Sequence, residues 1–106
     1  MANTYTNAKV DLTTTNVTTL YTCAALTTGI VKSILVSEDS GNADTITATL
    51  TNGTAVFSLF KVASVGANAT LELLTSPLVV QAGEILKVNA ATANRLHVVA
   101  SILEIT

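Results

Sequence analysis

The sequence predicts an all-β fold, two antiparallel sheets packed as a sandwich, and three features of its patterning carry that expectation. Threonine is abundant and clustered, at Thr13-Thr14-Thr15, Thr18-Thr19 and Thr27-Thr28, and a branched β-carbon fits a pleated strand better than a helix. Apolar and polar residues alternate, most plainly over Asp44 to Thr51, where Ile46, Ala48 and Leu50 interleave with Thr45, Thr47, Thr49 and Thr51. One face of such a strand is buried and the other is hydroxylated. Turn-forming residues recur at the spacing of roughly 8 to 12 residues typical of sandwiches and barrels. Only Ala90 to Ala93 suggests even a short helical turn, and Asn89 and Asn94 bracket it tightly.

Along the chain, strands are expected at Tyr5 to Leu12, Val17 to Cys23, Gly29 to Ser37, Asp44 to Thr51, Ala55 to Ala63, Ala69 to Leu74, Leu78 to Val80, Ile85 to Ala90 and Leu96 to Ile105. Residues 1–106 are read as one sandwich domain, with 1–12 as an N-terminal arm or an edge strand. Asn52-Gly53 predicts a type I′ hairpin turn, because both residues tolerate positive φ. In the last strand Leu96, Val98, Ala100 and Ile102 form one apolar face, and Val99, Leu103 and Ile105 make the other nearly as apolar. That strand should be central or packed on both sides. The strand count suits a jelly roll, with an immunoglobulin-like sandwich as the alternative. One feature stands in tension with the jelly roll: leaving the N-terminal segment out of the count, the Asn-Gly hairpin joins the third and fourth strands, which that fold sends to opposite sheets.

The 106 residues suit one domain. Hydrophobic residues make up 49% and charged residues 11%, the latter under half the usual share of about 25%. So few charges cover a small domain's surface poorly, which predicts burial against copies of itself or a partner. The net charge is -2, and Lys9, Lys32, Lys61, Lys87 and Arg95 are dispersed. Nucleic acid needs grouped positive charge and is not an expected partner. No apolar run approaches the 18 or so residues of a membrane span, and no basic-then-apolar leader opens the chain. Synthesis in the cytoplasm is expected. Cys23 is the sole cysteine, so neither an intrachain disulfide nor a cysteine-rich zinc site can form within one chain; its apolar surroundings predict a buried thiol.

Few residues suggest chemistry. His97, the only histidine, has no neighbouring motif to place a nucleophile, and is expected to be half-buried or interfacial and hydrogen-bonded to backbone. The loop Glu38 to Asp44 gathers oxygen ligands, with Asp39, Asn42 and Asp44 as a calcium candidate. Gly41 falls too early for an EF-hand loop and the closing glutamate is missing, so a solvated turn is expected. Glu72, Glu84 and Glu104 read as surface charges. With only Tyr5, Tyr21, Phe57 and Phe60 as aromatics and no tryptophan, a sugar platform is disfavoured. The N-x-T triplets at Asn16, Asn52 and Asn68 are expected by chance in a threonine-rich chain. No catalytic residue, metal or cofactor is assigned; the interface candidates are Val99, Leu103 and Ile105.

The segments Leu20-Tyr21-Thr22, Ile30 to Asp39 (IVKSILVSED), Thr70 to Leu78 (TLELLTSPL), Ala82 to Val88 (AGEILKV) and Leu96 to Ile105 (LHVVASILEI) resemble small virion structural proteins of tailed bacteriophages, including those of marine and cyanobacterial hosts. The resemblance spans most of the chain and rests on strand and turn patterns rather than catalytic signatures. It implies a β-sandwich acting as a capsid decoration or cement protein, or as a neck or tail component. It also implies self-association as a trimer or other cyclic oligomer, and contact with other virion proteins such as the major capsid protein. The expected location is the virion, after synthesis in the host cytoplasm. A receptor or glycan-binding module working through its loop tips is the second class, and an enzyme a distant third.

Overall fold

The computed structural model describes residues 2–106, and among them nine strands and no helix occur. They are β1 Asn3–Asp11, β2 Thr18–Thr22, β3 Thr28–Glu38, β4 Asp44–Thr51, β5 Val56–Val65, β6 Thr70–Glu72, β7 Leu78–Val80, β8 Ile85–Ala90 and β9 Leu96–Ile105. One sheet has the order β1-β9-β3-β6, with β7 also paired to β3; the other has the order β2-β8-β4-β5. All pairings are antiparallel. The sandwich expected from the alternation is therefore present. Its interior comes from the inward positions of both sheets: Val31, Ile34, Val36, Val98 and Ile102 from one, Ile46, Leu86 and Val88 from the other, all fully buried.

Because β6 and β7 occupy one position beside β3, they act as a single interrupted strand. The chain then reads as nested hairpins, β1 with β9, β2 with β8, β3 with β6 and β7, and β4 with β5, rolled so that successive pairs alternate between sheets. This is a jelly-roll order. The tension over the Asn-Gly hairpin came from leaving β1 out of the count. Residues 3–11 form a full edge strand, so the hairpin joins the fourth and fifth strands, at the innermost tip of the nest, where both belong to one sheet.

The tip itself differs from expectation. The loop spans four residues between Thr51 and Val56, and Gly53 alone within it has positive φ, at 94°. A type I′ turn requires positive φ at both central residues, so the structure does not use one. Asn52 instead accepts hydrogen bonds at Oδ1 from the amides of Thr54 (3.0 Å) and Ala55 (2.9 Å), and Thr51 Oγ1 donates to the Ala55 carbonyl at 2.8 Å. Side chains here supply the partners that a tighter backbone turn would have supplied.

One cross-sheet tie was invisible in the sequence. Tyr21 crosses the interior from β2 and donates from its hydroxyl to Glu104 Oε2 at 2.6 Å. The ring lies over Gly29, where an added Cβ would sit 2.8 Å from the hydroxyl oxygen. Gly29 pairs with Glu104 across β3 and β9, so the glycine opens the space through which the tyrosine reaches its acceptor.

Candidate functional site

The outer face of the five-stranded sheet carries the most distinctive surface. Strand register places Tyr5 opposite Leu103, Leu103 opposite Ile30, and Ile30 opposite Val79. One apolar row thus crosses β1, β9, β3 and β7. Tyr5 is 76% exposed and Val79 51%; Ile30 and Leu103 between them are half-covered by their neighbours. Ile105 flanks this row beside Thr28. A second, shorter row pairs Val99 with Leu35, with Lys9 at one end and Glu72 at the other, and Ser101 paired with Ser33 separates the two. The structure places the three sequence candidates Val99, Leu103 and Ile105 together on this face, because positions of equal parity on β9 point the same way. It adds Tyr5, Ile30, Leu35 and Val79, which only the register reveals.

The opposite outer face carries a row of threonines together with exposed Val17 and Val56. Thr45, Thr47, Thr49 and Thr51 of β4 line up there, with Lys87 beside Thr49 and Asn89 beside Thr47. A cleft of about 410 Å³ on that side is bounded by Thr49, Thr51, Val56, Ile85 and Lys87. The aliphatic residues at its rim offer no aromatic platform.

His97 is half-buried as expected, but its partners are not those expected. Its ring sits on the outer face with Nε2 3.2 Å from Asp11 Oδ1 and Nδ1 3.4 Å from Asp39 Oδ2. Its partners are two carboxylates rather than backbone, and they lie on opposite sides of the ring. A neutral imidazole has one N–H and satisfies one of them; an imidazolium donates to both.

The acidic loop is the exposed turn expected between two strands over residues 39–43, but the carboxylates at its two ends turn inward. Glu38 is buried and accepts from the amides of Ser40 (2.8 Å), Gly41 (3.1 Å) and Asn68 (3.0 Å), and from the Ser40 hydroxyl. Desolvation pushes its carboxyl up, but the hydrogen bonds from the Ser40 hydroxyl and from the Asn68, Ser40 and Gly41 amides outweigh this and hold it at about 2. Asp44, also buried, accepts from the amides of Thr45 (2.8 Å) and Thr92 (3.1 Å). Asn42 donates to the Ser40 carbonyl at 3.4 Å, and Asp39 faces His97. The calcium candidates Asp39, Asn42 and Asp44 are thus each engaged with different partners. Among the described residues no group of three or more His, Cys, Asp or Glu converges to hold a metal.

The three glutamates read as surface charges keep some exposure, Glu72 most, and also serve as structural acceptors. Glu72 Oε2 accepts from the amides of Ile34 (2.8 Å) and Leu74 (3.2 Å), and Oε1 from the Ser33 hydroxyl, filling the break between β6 and β7. Desolvation raises its carboxyl, yet these donors together bring it below the usual carboxylate range. Glu84 accepts from the Gln81 amide at 2.7 Å. Burial pushes the Tyr21 hydroxyl far above its usual range, with the Glu104 carboxylate adding to the shift. Cys23 is buried as expected, its thiol 3.3 Å from the Thr27 carbonyl.

Fold and surface together define an antiparallel β-sandwich with an apolar row across the outer face of its five-stranded sheet and a row of threonines, mixed with exposed valines, on the other. No protein-family model matches the chain, and no curated protein matches it. Among solved structures, two crystal structures of a pentameric capsid protein isolated from metagenomic phage sequences are similar to it, each with a TM-score of 0.47 and 20% sequence identity. The likeness covers 93% of this chain and 60% and 59% of those chains, so the chain spans about three fifths of their length.

Proposed function

We propose that this protein is a non-enzymatic structural subunit of a phage virion, a capsid decoration or cement protein. In this reading it associates with copies of itself in a cyclic oligomer and docks on other virion proteins, such as the major capsid protein, through the outer face of its five-stranded sheet. The row Tyr5, Leu103, Ile30 and Val79 carries the reading. A two-layer sandwich shields only the inner face of each sheet, so the parts of these side chains left exposed find cover only outside the domain. Burying one such residue fully is worth about 1.5–3 kcal/mol, and four in a row make association favourable where four scattered ones would not. The low charged fraction and the resemblance to phage virion proteins support the same reading. Neck or tail structural component is the next alternative. A glycan-binding module has less behind it, since neither exposed aromatic, Tyr5 in the apolar row or Phe57 on β5, lines the cleft beside the threonines.

A density map of the native particle tests this. The expected result is the sandwich found as a repeated unit with the outer face of β1, β9, β3 and β7 in contact with a neighbour; that face bare to solvent in every copy, or the chain absent from purified particles, overturns it. Native mass spectrometry of the free protein distinguishes a trimer from the pentameric state named for the two structural neighbours.

A further inference from the structure

Exposed sheet edges invite pairing with another chain, and folds blunt them with short strands, bulges, proline and charge. Three of the four edges here are blunted. The β6 and β7 edge is two three-residue strands separated by a loop containing Pro77. The β2 edge is five residues long and shifts register between Thr19 and Tyr21. The β5 edge shifts register twice against β4, and its Val62 sits at φ 54°, a conformation a β-branched residue rarely adopts. The β1 edge is the least protected: nine residues run against β9 without a register shift and without proline, and its only charges, Lys9 and Asp11, are of opposite sign.

Hydrogen-bond phase shows which groups that edge offers. Ala2 and Thr106 exchange amide-to-carbonyl bonds of 3.2 and 3.0 Å, and the Leu12 amide donates to the Leu96 carbonyl at 3.0 Å. Even-numbered residues of β1 therefore bond inward to β9, and the backbone groups of Asn3, Tyr5, Asn7, Lys9 and Asp11 point outward. Their side chains are all exposed on the outer face.

We infer that two copies of this chain pair β1 with β1, antiparallel about a two-fold axis at Asn7, joining two five-stranded sheets into one. With the other edges blunted, the partner that best fits β1 is another β1, which makes the contact isologous. The register centred on Asn7 is the one that uses all nine residues, and it sets outward-pointing residues opposite each other. Asn7 meets Asn7 of the partner subunit, Tyr5 meets Lys9 of the partner subunit, and Asn3 meets Asp11 of the partner subunit. No like charges oppose, and the ammonium lies beside an aromatic ring. About eight to ten backbone hydrogen bonds form, two per closely spaced pair. The two-fold axis is perpendicular to the sheet, so both apolar outer faces look the same way and form one doubled platform. The edge contact is made by backbone groups and meets the apolar face only at Tyr5, so it does not require that face to be an interface.

Cysteine cross-linking tests the register. Closely spaced antiparallel pairs have Cα atoms about 5.5 Å apart, within the disulfide range of about 4.4–6.8 Å, and the native Cys23 is buried. Asn7→Cys should give a covalent dimer on mild oxidation. Tyr5→Cys alone should not, while Tyr5→Cys mixed with Lys9→Cys should. Independently of any variant, the Tyr5, Asn7 and Lys9 amides should exchange about tenfold more slowly at tens of micromolar than at high dilution. Failure of Asn7→Cys to cross-link, self-linking of Tyr5→Cys, or concentration-independent exchange at those amides overturns the inference. Adding Leu103→Lys to Asn7→Cys separates the two surfaces: the edge dimer should still cross-link when association through the apolar face is lost.

Discussion

Gly29→Ala should destabilise the protein although Gly29 does not have positive φ. An added methyl would lie 2.8 Å from the Tyr21 hydroxyl oxygen, 3.0 Å from Cε2 and 3.3 Å from Cζ. The ring would have to retreat by about half an ångström to reach ordinary contact, yet its hydroxyl is bound to Glu104 at 2.6 Å inside the sandwich. Overpacking of this kind costs about 1–3 kcal/mol, and stretching a hydrogen bond to a carboxylate adds part of its worth of about 1.5–3 kcal/mol. Against this, alanine restricts the unfolded chain and returns about 0.4–1 kcal/mol. The balance is a loss of about 1–3 kcal/mol, and each kcal/mol shifts Tm by roughly 4–8 °C in a domain of this size. Urea and thermal unfolding at neutral pH measure it. Tyr21→Phe removes the atom in closest contact, so in the Gly29→Ala background it should cost less than in the parent, a coupling read from a double-mutant cycle. A Gly29→Ala protein as stable as the parent, or strictly additive effects, would refute the reasoning.

Other outcomes follow from the same geometry. Asn52→Val combined with Gly53→Val should lose about 1–3 kcal/mol, because Asn52 Oδ1 serves two loop amides and Gly53 holds φ 94°; unchanged melting would contradict it. The folded-state pKa of Glu38 lies below its ordinary value, so its contribution to stability is complete above about pH 4.5 and is lost as pH falls toward 2. Glu38→Gln should therefore flatten the acid limb of the stability profile, and an unaltered limb would count against that role. Millimolar calcium or a chelator should leave Tm unchanged, since Asp39, Asn42 and Asp44 face different partners; a rise of several degrees would show binding to the folded state.

Much of the architecture was legible because a strand's period of two is a local property. Ile46, Ala48 and Leu50 declared their inward face, and Val99, Leu103 and Ile105 declared a second apolar side of β9 that no interior could absorb. Beyond that, neighbours far apart in sequence decided the outcome. The row through Tyr5, Ile30 and Val79 exists only once β1, β3 and β7 are laid in register beside β9. Glu104 looked like a surface charge until Tyr21 reached it across the interior from 83 residues away. Asn52-Gly53 marked the hairpin correctly but not its turn, because the Asn52 side chain, rather than a second positive φ, satisfies the loop. The loop Glu38 to Asp44 suggested an ion site at Asp39, Asn42 and Asp44 by composition, whereas backbone amides folded around Glu38 and Asp44 supply the positive ends that an ion would have supplied.

The central claim is that the outer face of the five-stranded sheet is an assembly surface. Sedimentation of the parent, Leu103→Lys, Val99→Lys and Val98→Lys at tens of micromolar tests it most directly, with Tm measured on each. The parent should sediment as an oligomer. Leu103→Lys and Val99→Lys should weaken that association while keeping most of the parent's stability, and Val98→Lys, which forces an unpaired charge into a fully buried position, should unfold the domain instead. A parent that stays monomeric and is recruited by no capsid or tail protein, or an oligomer indifferent to charge at Leu103 and Val99, would contradict the account.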